Sequence, residues 1–130
     1  MMKHQETTSE ILKSFYTVYN TLGYGFLEKV YENALFHELS KKGLTCRKQA
    51  PIKVLYHEIL VGDYYADIIV EEKIILELKA AECLIEEHEL QLINYLKATN
   101  IEVGLLLNFG RKPEFKRKVF SNDRKSANPH

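Results

Sequence analysis

Residues 64–80 constrain this chain more than any other part of it. Two runs rich in Ile, Val and Leu, Tyr64 to Val70 and Ile74 to Ala80, are separated only by Glu71-Glu72-Lys73. Runs this short and this β-branched read as strands, and a three-residue polar turn between them requires an antiparallel hairpin. The next periodic stretch, 85–99, places Leu92, Ile93 and Leu96 at helical spacing, and Val103 to Leu107 is then a continuous apolar run, as in a strand covered on both faces. Strand, helix and strand from 74 to 107 make a parallel crossover, which sheet geometry drives to the right-handed form.

The rest of the chain supplies the layers around that sheet. Thr7-Thr8-Ser9-Glu10 has the pattern of a capping box, and Ile11, Leu12, Phe15, Val18, Tyr19 and Leu22 follow at helical spacing. Gly23 and Gly25 end that helix. A second helix is expected from Leu27 to Lys42, burying Leu27, Val30, Tyr31, Ala34, Leu35 and Leu39, with Gly43 as its C-terminal stop. Pro51 to Tyr56 and Val61 to Val70 precede the strand at 74–80, and Lys116 to Phe120 fits either a short strand or a helical turn. The order α-α-β-β-β-α-β predicts an α/β fold, a mixed sheet flanked by helices. At 130 residues the chain suits one domain, with an ordered core over 7–120 and polar, frayed ends at 1–6 and 121–130.

Composition excludes several classes of protein. No apolar run approaches the roughly 18 residues of a membrane span, and the polar N-terminus lacks the apolar core of a signal peptide, which predicts a cytoplasmic protein. Two distant cysteines, Cys46 and Cys83, make neither a zinc set nor a disulfide framework. Net charge is zero, but basic residues crowd 111–125 and 41–53, and such clusters are either solvated faces or phosphate contacts.

The hairpin also carries the chemistry. Side chains alternate faces along a strand, so Glu77 and Lys79 share one face while Leu76 and Leu78 take the other. A three-residue turn pairs Val70 with Ile74, and counting back sets Asp67 opposite Glu77; a two-residue shift would keep the face and set Asp67 opposite Lys79 instead. Two facing carboxylates repel unless something compensates them. A divalent cation would do so through oxygen ligands, and so would Lys79 alone in a structural ion pair. Glu28 adds a third carboxylate in the first turn of the second helix, where the helix dipole is reason enough for an acid. His88, Gln91 and Tyr95 form a polar stripe on the third helix, either a solvent-facing surface or part of a site, with His88 a metal or base candidate.

Several of these residues fall into a known pattern. Gly25-Phe26-Leu27-Glu28-Lys29-Val30-Tyr31 matches G-x-x-E-x-x-Y, the signature of the GxxExxY family, a branch of the PD-(D/E)XK nuclease superfamily. The resemblance continues through Ala66-Asp67, Glu77-Leu78-Lys79 and His88 to Lys97, and spans about residues 10–120. It implies a restriction-endonuclease-like core with an active site built on Glu28, Asp67, Glu77 and Lys79. Gln91 and Tyr95 resemble the Q-x-x-x-Y element of exonuclease domains attached to recombination helicases, and Tyr31 and His88 would support the site. Ala66 stands where the superfamily motif has proline, a position that varies widely within it.

The resemblance further implies Mg²⁺ or Mn²⁺ on Asp67 and Glu77, helped by the Leu78 carbonyl, with Glu28 ligating directly or through water. Lys79 would orient water or stabilise the phosphorane-like transition state, Gln91 would position phosphate or water, and Tyr95 would buttress Gln91. The expected reaction is phosphodiester hydrolysis in DNA or RNA. Two rival readings are a catalytically silent binding module on the same fold and a structural or dimerising protein. A homodimer thus stays among the expected partners, alongside nucleic acid.

Overall fold

A computed structural model of the chain describes residues 2–125, so the expectation of a frayed end at 126–130 lies outside the described residues. The elements run α1 (Gln5–Leu22), α2 (Glu28–Lys41), β1 (Cys46–Tyr56), β2 (Ile59–Val70), β3 (Ile74–Lys79), α3 (Glu86–Lys97), β4 (Val103–Phe109) and β5 (Pro113–Val119), followed by a 3₁₀ turn at Asn122–Arg124. The strands form one mixed sheet in the order β1-β2-β3-β4-β5. Only β3 and β4 pair in parallel, with α3 as their crossover. This is the α/β architecture expected from the sequence, extended by a fifth strand. Residues 116–120 thus resolve in favour of a strand, since the pairing of β5 with β4 covers an edge that would otherwise be open.

Helices α1 and α2 cover one face of the sheet and α3 the other. The first face buries Ile11, Phe15 and Val18 of α1 and Tyr31, Leu35 and Leu39 of α2 against Ile68, Val70, Leu76, Leu105 and Phe109. Phe109 meets Phe15 edge-on at 4.9 Å and stacks on Tyr31 at 4.3 Å. The second face buries Leu92, Tyr95 and Leu96 of α3 against Ile52, Ala66, Ile69, Ile75 and Leu106.

Three local expectations are corrected. Helix α1 begins at Gln5, so the Thr7–Glu10 capping box is not used and Thr8 lies buried inside the helix. The preceding residues are tied down rather than frayed: Arg117 donates to the Lys3 carbonyl, and the Lys3 ammonium meets Glu102 at 3.3 Å. On α2, Leu27 and Val30 are exposed, and the buried stripe is Tyr31, Glu32, Leu35 and Leu39. That helix ends as expected at Gly43, whose φ of 83° lets Leu44 N–H reach the Leu39 carbonyl in a Schellman motif.

Candidate active site

The β2–β3 hairpin closes in the expected register: Val70 pairs with Ile74, Ile69 with Ile75 and Ile68 with Leu76. The next facing positions are Asp67 and Glu77, and there the two strands part. Asp67 N–H donates to Glu77 Oε2 at 2.9 Å, and Leu78 N–H donates to Asp67 Oδ2 at 2.8 Å. Each carboxylate satisfies a backbone donor on the other's strand at the point where the ladder opens. A buried N–H without an acceptor is costly, so these reciprocal bonds make the opening tolerable.

Strands β1 and β2 also change face here. Ala66 packs on the α3 side, yet Ile68 and Val70 pack on the α1/α2 side, so the simple alternation slips by one at Asp67. On β1, Cys46 packs towards the α1/α2 side while Ala50 and Ile52 take the α3 side. Gln49, between them, has a left-handed backbone with φ of 50°. Such a backbone is strained for a residue other than glycine, and strain of this kind gathers at functional positions. The Gln49 amide donates to Glu32 Oε1 at 2.8 Å and lies 3.5 Å from Asp67 Oδ1.

Electrostatics follow from burial. Glu77 is only 5 % exposed, and burial first, then the neighbouring Asp67, pushes its pKa up to about 8. Asp67 is also raised, mainly by burial and further by Glu32 and Glu28, against the lowering effect of the Leu78 N–H and Lys79. Lys79 is half-buried and, by alternation from Glu77, lies on the same face. Its charge lowers both acids, but burial outweighs it. On α3, Gln91 donates to the Tyr95 hydroxyl at 2.8 Å, and Tyr95 is pushed up to about 12, first by burial and then by Glu77.

A family model for the PD-(D/E)XK nuclease superfamily matches residues 5–118. The chain belongs to that superfamily. A crystal structure of a protein designated SSO0001 shares the fold, with a TM-score of 0.55 and 16 % identity over 72 % of this chain. The chain spans 50 % of that protein's length. Among curated proteins, none shows a sequence match.

Nucleases of this superfamily typically use divalent metals. Among the described residues, no group of three or more His, Cys, Asp and Glu side chains stands close enough to hold one. The pair Asp67 and Glu77 nevertheless has the donors for it. Glu77 Oε1 accepts no hydrogen bond among the described residues, Asp67 Oδ1 has only the long contact from Gln49, and an all-oxygen set suits a hard cation. Glu28 stays outside the pair, exposed at the start of α2, though its charge raises both acids.

The supporting residues divide into two kinds. Tyr31 is fully buried; its hydroxyl donates to the Gly23 carbonyl at 2.8 Å and accepts from Phe26 N–H, fixing the loop that delivers Glu28. His88 acts as a cap, its Nδ1 accepting the Ile85 N–H at the start of α3. Sequence reasoning missed three residues around the Asp67–Glu77 pair. Glu32, one helical turn after Glu28, is 4 % exposed and is held by Lys29 and Gln49. Its spacing from Glu28 was the available signal; the strained backbone at Gln49 gave none. Asn108 is fully buried beside Lys79 and clamps both backbone polar groups of Ala81. A Cβ at Gly110 would collide with the Ala81 carbonyl oxygen, so Asn108 and Gly110 together fix the exit of β3.

Proposed function

We propose that this chain is a divalent-metal-dependent nuclease of the GxxExxY branch, folded as a single domain, that hydrolyses phosphodiester bonds in DNA or RNA. The observation that carries the reading is the Asp67–Glu77 pair. The two carboxylates adjoin where the hairpin opens, and one of them is a buried acid held far above its ordinary range. Such a pair is costly by itself and is relieved by a cation.

Asp67 and Glu77 would hold Mg²⁺ or Mn²⁺, with Glu28 and Glu32 adding negative charge around them. The ion supplies a bound water of lowered pKa and neutralises charge on the phosphate. The chain's own groups do the rest. The Lys79 ammonium stabilises negative charge developing on the phosphoryl oxygens. Gln91 presents its amide to the phosphate or to the attacking water, and the Tyr95 hydroxyl fixes the rotamer of that amide. Tyr95 remains protonated throughout the neutral range, because burial raises it. Gln49 orients Asp67 and Glu32 relative to one another.

The test is a cleavage screen over single-stranded and duplex DNA and RNA in Mg²⁺ and in Mn²⁺, with Lys79→Ala as control. The reading predicts metal-dependent products from wild type and none from the variant. Cleavage that survives Lys79→Ala unchanged would assign the activity to something other than this site.

A further inference from the structure

On the α3 side of the sheet, a cleft of about 760 Å³ runs between α3 and the outer part of the β1–β2 hairpin. Tyr95 and Gln91 form its inner end, and Tyr64, Tyr56, Lys53 and Lys97 line it outwards. The Tyr64 ring lies 5.8 Å from the Tyr95 ring, and Gln91 and Tyr95 are the residues that the cleft shares with the candidate site. Tyr64 and Tyr56 are 48 % and 64 % exposed, with ring surface open to a partner. The Tyr64 ring lies over Gly62, where a Cβ would come within 2.9 Å of its Cε2.

The cleft carries two basic side chains outside any ion pair among the described residues. Many of the other basic side chains are already engaged: Arg47 with Glu72, Lys116 and Lys118 with Glu89, Lys41 with Glu38, Lys42 with Glu10. Lys53 and Lys97 have no carboxylate partner among the described residues, and the Lys97 ammonium lies over the Phe120 ring at 5.4 Å. Glu87 is the one carboxylate in the lining, so the cleft keeps a positive balance while the whole chain has none.

We infer that this cleft binds single-stranded nucleic acid, stacking unpaired bases on Tyr64 and Tyr56 and leading the backbone past Lys53 and Lys97 to the Asp67–Glu77 site. The inference rests on the nuclease reading and adds the form of the substrate. An aromatic ring can stack only on a base whose face is free, and in a duplex both faces are covered by neighbouring pairs. A cleft of this volume holds groups the size of a small molecule, roughly 300–1,000 Å³, and a duplex cannot enter it. Stacking tolerates any base, so the binding should show little sequence preference.

The test measures binding of fluorescein-labelled single strands and duplexes of one sequence by anisotropy, in Mn²⁺, using full-length Asp67→Asn so that nothing is cut. Cleavage by the wild-type protein is followed in parallel. We expect single strands to bind at least about tenfold more tightly than duplex. Tyr64→Ala and Tyr56→Ala should each weaken single-strand binding roughly tenfold, the lower part of the range for one lost stack. Tyr64→Phe should retain it, because the ring is kept. Lys53→Gln should reduce the slope of log affinity against log salt by about 0.7, the value for one phosphate contact on a single strand. Equal affinity for duplex and single strand, with both alanine variants unchanged, would overturn the inference even if wild type cleaves DNA or RNA. Tyrosine-dependent single-strand binding without cleavage of any substrate would uphold it and reject the nuclease reading instead.

Discussion

The two faces of the sheet are built to different ends. The α1/α2 face buries fifteen apolar side chains, with aromatic rings interlocked around Phe109 and Glu32 of α2 as its one buried acid among the described residues. The α3 face buries ten, and Glu77 takes a position on it that the alternation of β3 would otherwise give to another Ile or Leu. One face is therefore the source of stability. The other gives up apolar contact to hold a carboxylate pair, a tyrosine hydroxyl and an open cleft. Substitutions on the two faces should separate these contributions.

The largest expected effect is on activity, from the α3 face. Asp67→Asn and Glu77→Gln keep an oxygen that can accept the Leu78 and Asp67 N–H bonds, so the fold should persist. Cleavage should nevertheless fall by at least about 10²–10³-fold, the scale of losing one preorganised electrostatic group. Rate measurements at saturating Mn²⁺, beside a circular dichroism spectrum of each variant, check both halves. The opposite pattern is expected across the sheet. Phe109→Ala should cost about 3–5 kcal/mol in urea denaturation, because it empties the space between Phe15 and Tyr31.

A smaller effect concerns pH. In the metal-free protein Glu77 has its ordinary value of 4.5 when unfolded and about 8 when folded. Between these values the native state keeps a proton that the unfolded chain has released. The contribution of Glu77 to stability is thus full below pH 4.5 and is lost as pH rises towards 8. Denaturation midpoints across that window should slope downwards in wild type and flatten in Glu77→Gln. The smallest effect belongs to His88. As a cap, its replacement by Ala should cost about 1 kcal/mol of stability and leave the cleavage rate per folded molecule unchanged. A rate loss in His88→Ala comparable to that of Glu77→Gln would move His88 from the helix end into the chemistry.

These contrasts were unevenly legible in the sequence. The apolar pattern excluded a one-residue slip of the hairpin, and a three-residue turn favoured Asp67 opposite Glu77 over Asp67 opposite Lys79, as found. The parallel pairing of β3 with β4 followed from the crossover rule. The change of face at Asp67 was not readable, because it depends on Gln49 adopting a left-handed backbone that its residue type does not announce. The β1–β2 turn follows Tyr56 as expected but is tighter, with β2 starting at Ile59 rather than Val61. His57 and Glu58 both have positive φ, at 49° and 67°, where Asn-Gly would have been the usual sign. β1 also starts five residues before the expected Pro51, at Cys46, and runs through the left-handed Gln49. The buried side of α2 was misjudged because Leu27 and Val30 looked like core, whereas Glu32 is buried through its bonds to Lys29 and Gln49. Apolar periodicity cannot reveal a polar residue buried by its partners.

The metal requirement of the Asp67–Glu77 pair is the claim on which the account rests, and paired melting curves test it most directly. Wild type and Glu77→Gln are melted at pH 8 with and without Mn²⁺. The account predicts that Mn²⁺ raises the wild-type midpoint, and that Glu77→Gln without metal is as stable as wild type or more so, because repulsion with Asp67 is removed, and gains nothing from Mn²⁺. A wild type indifferent to Mn²⁺, together with a Glu77→Gln variant that melts far lower without metal, would contradict it. Glu77 would then be half of a structural ion pair with Lys79.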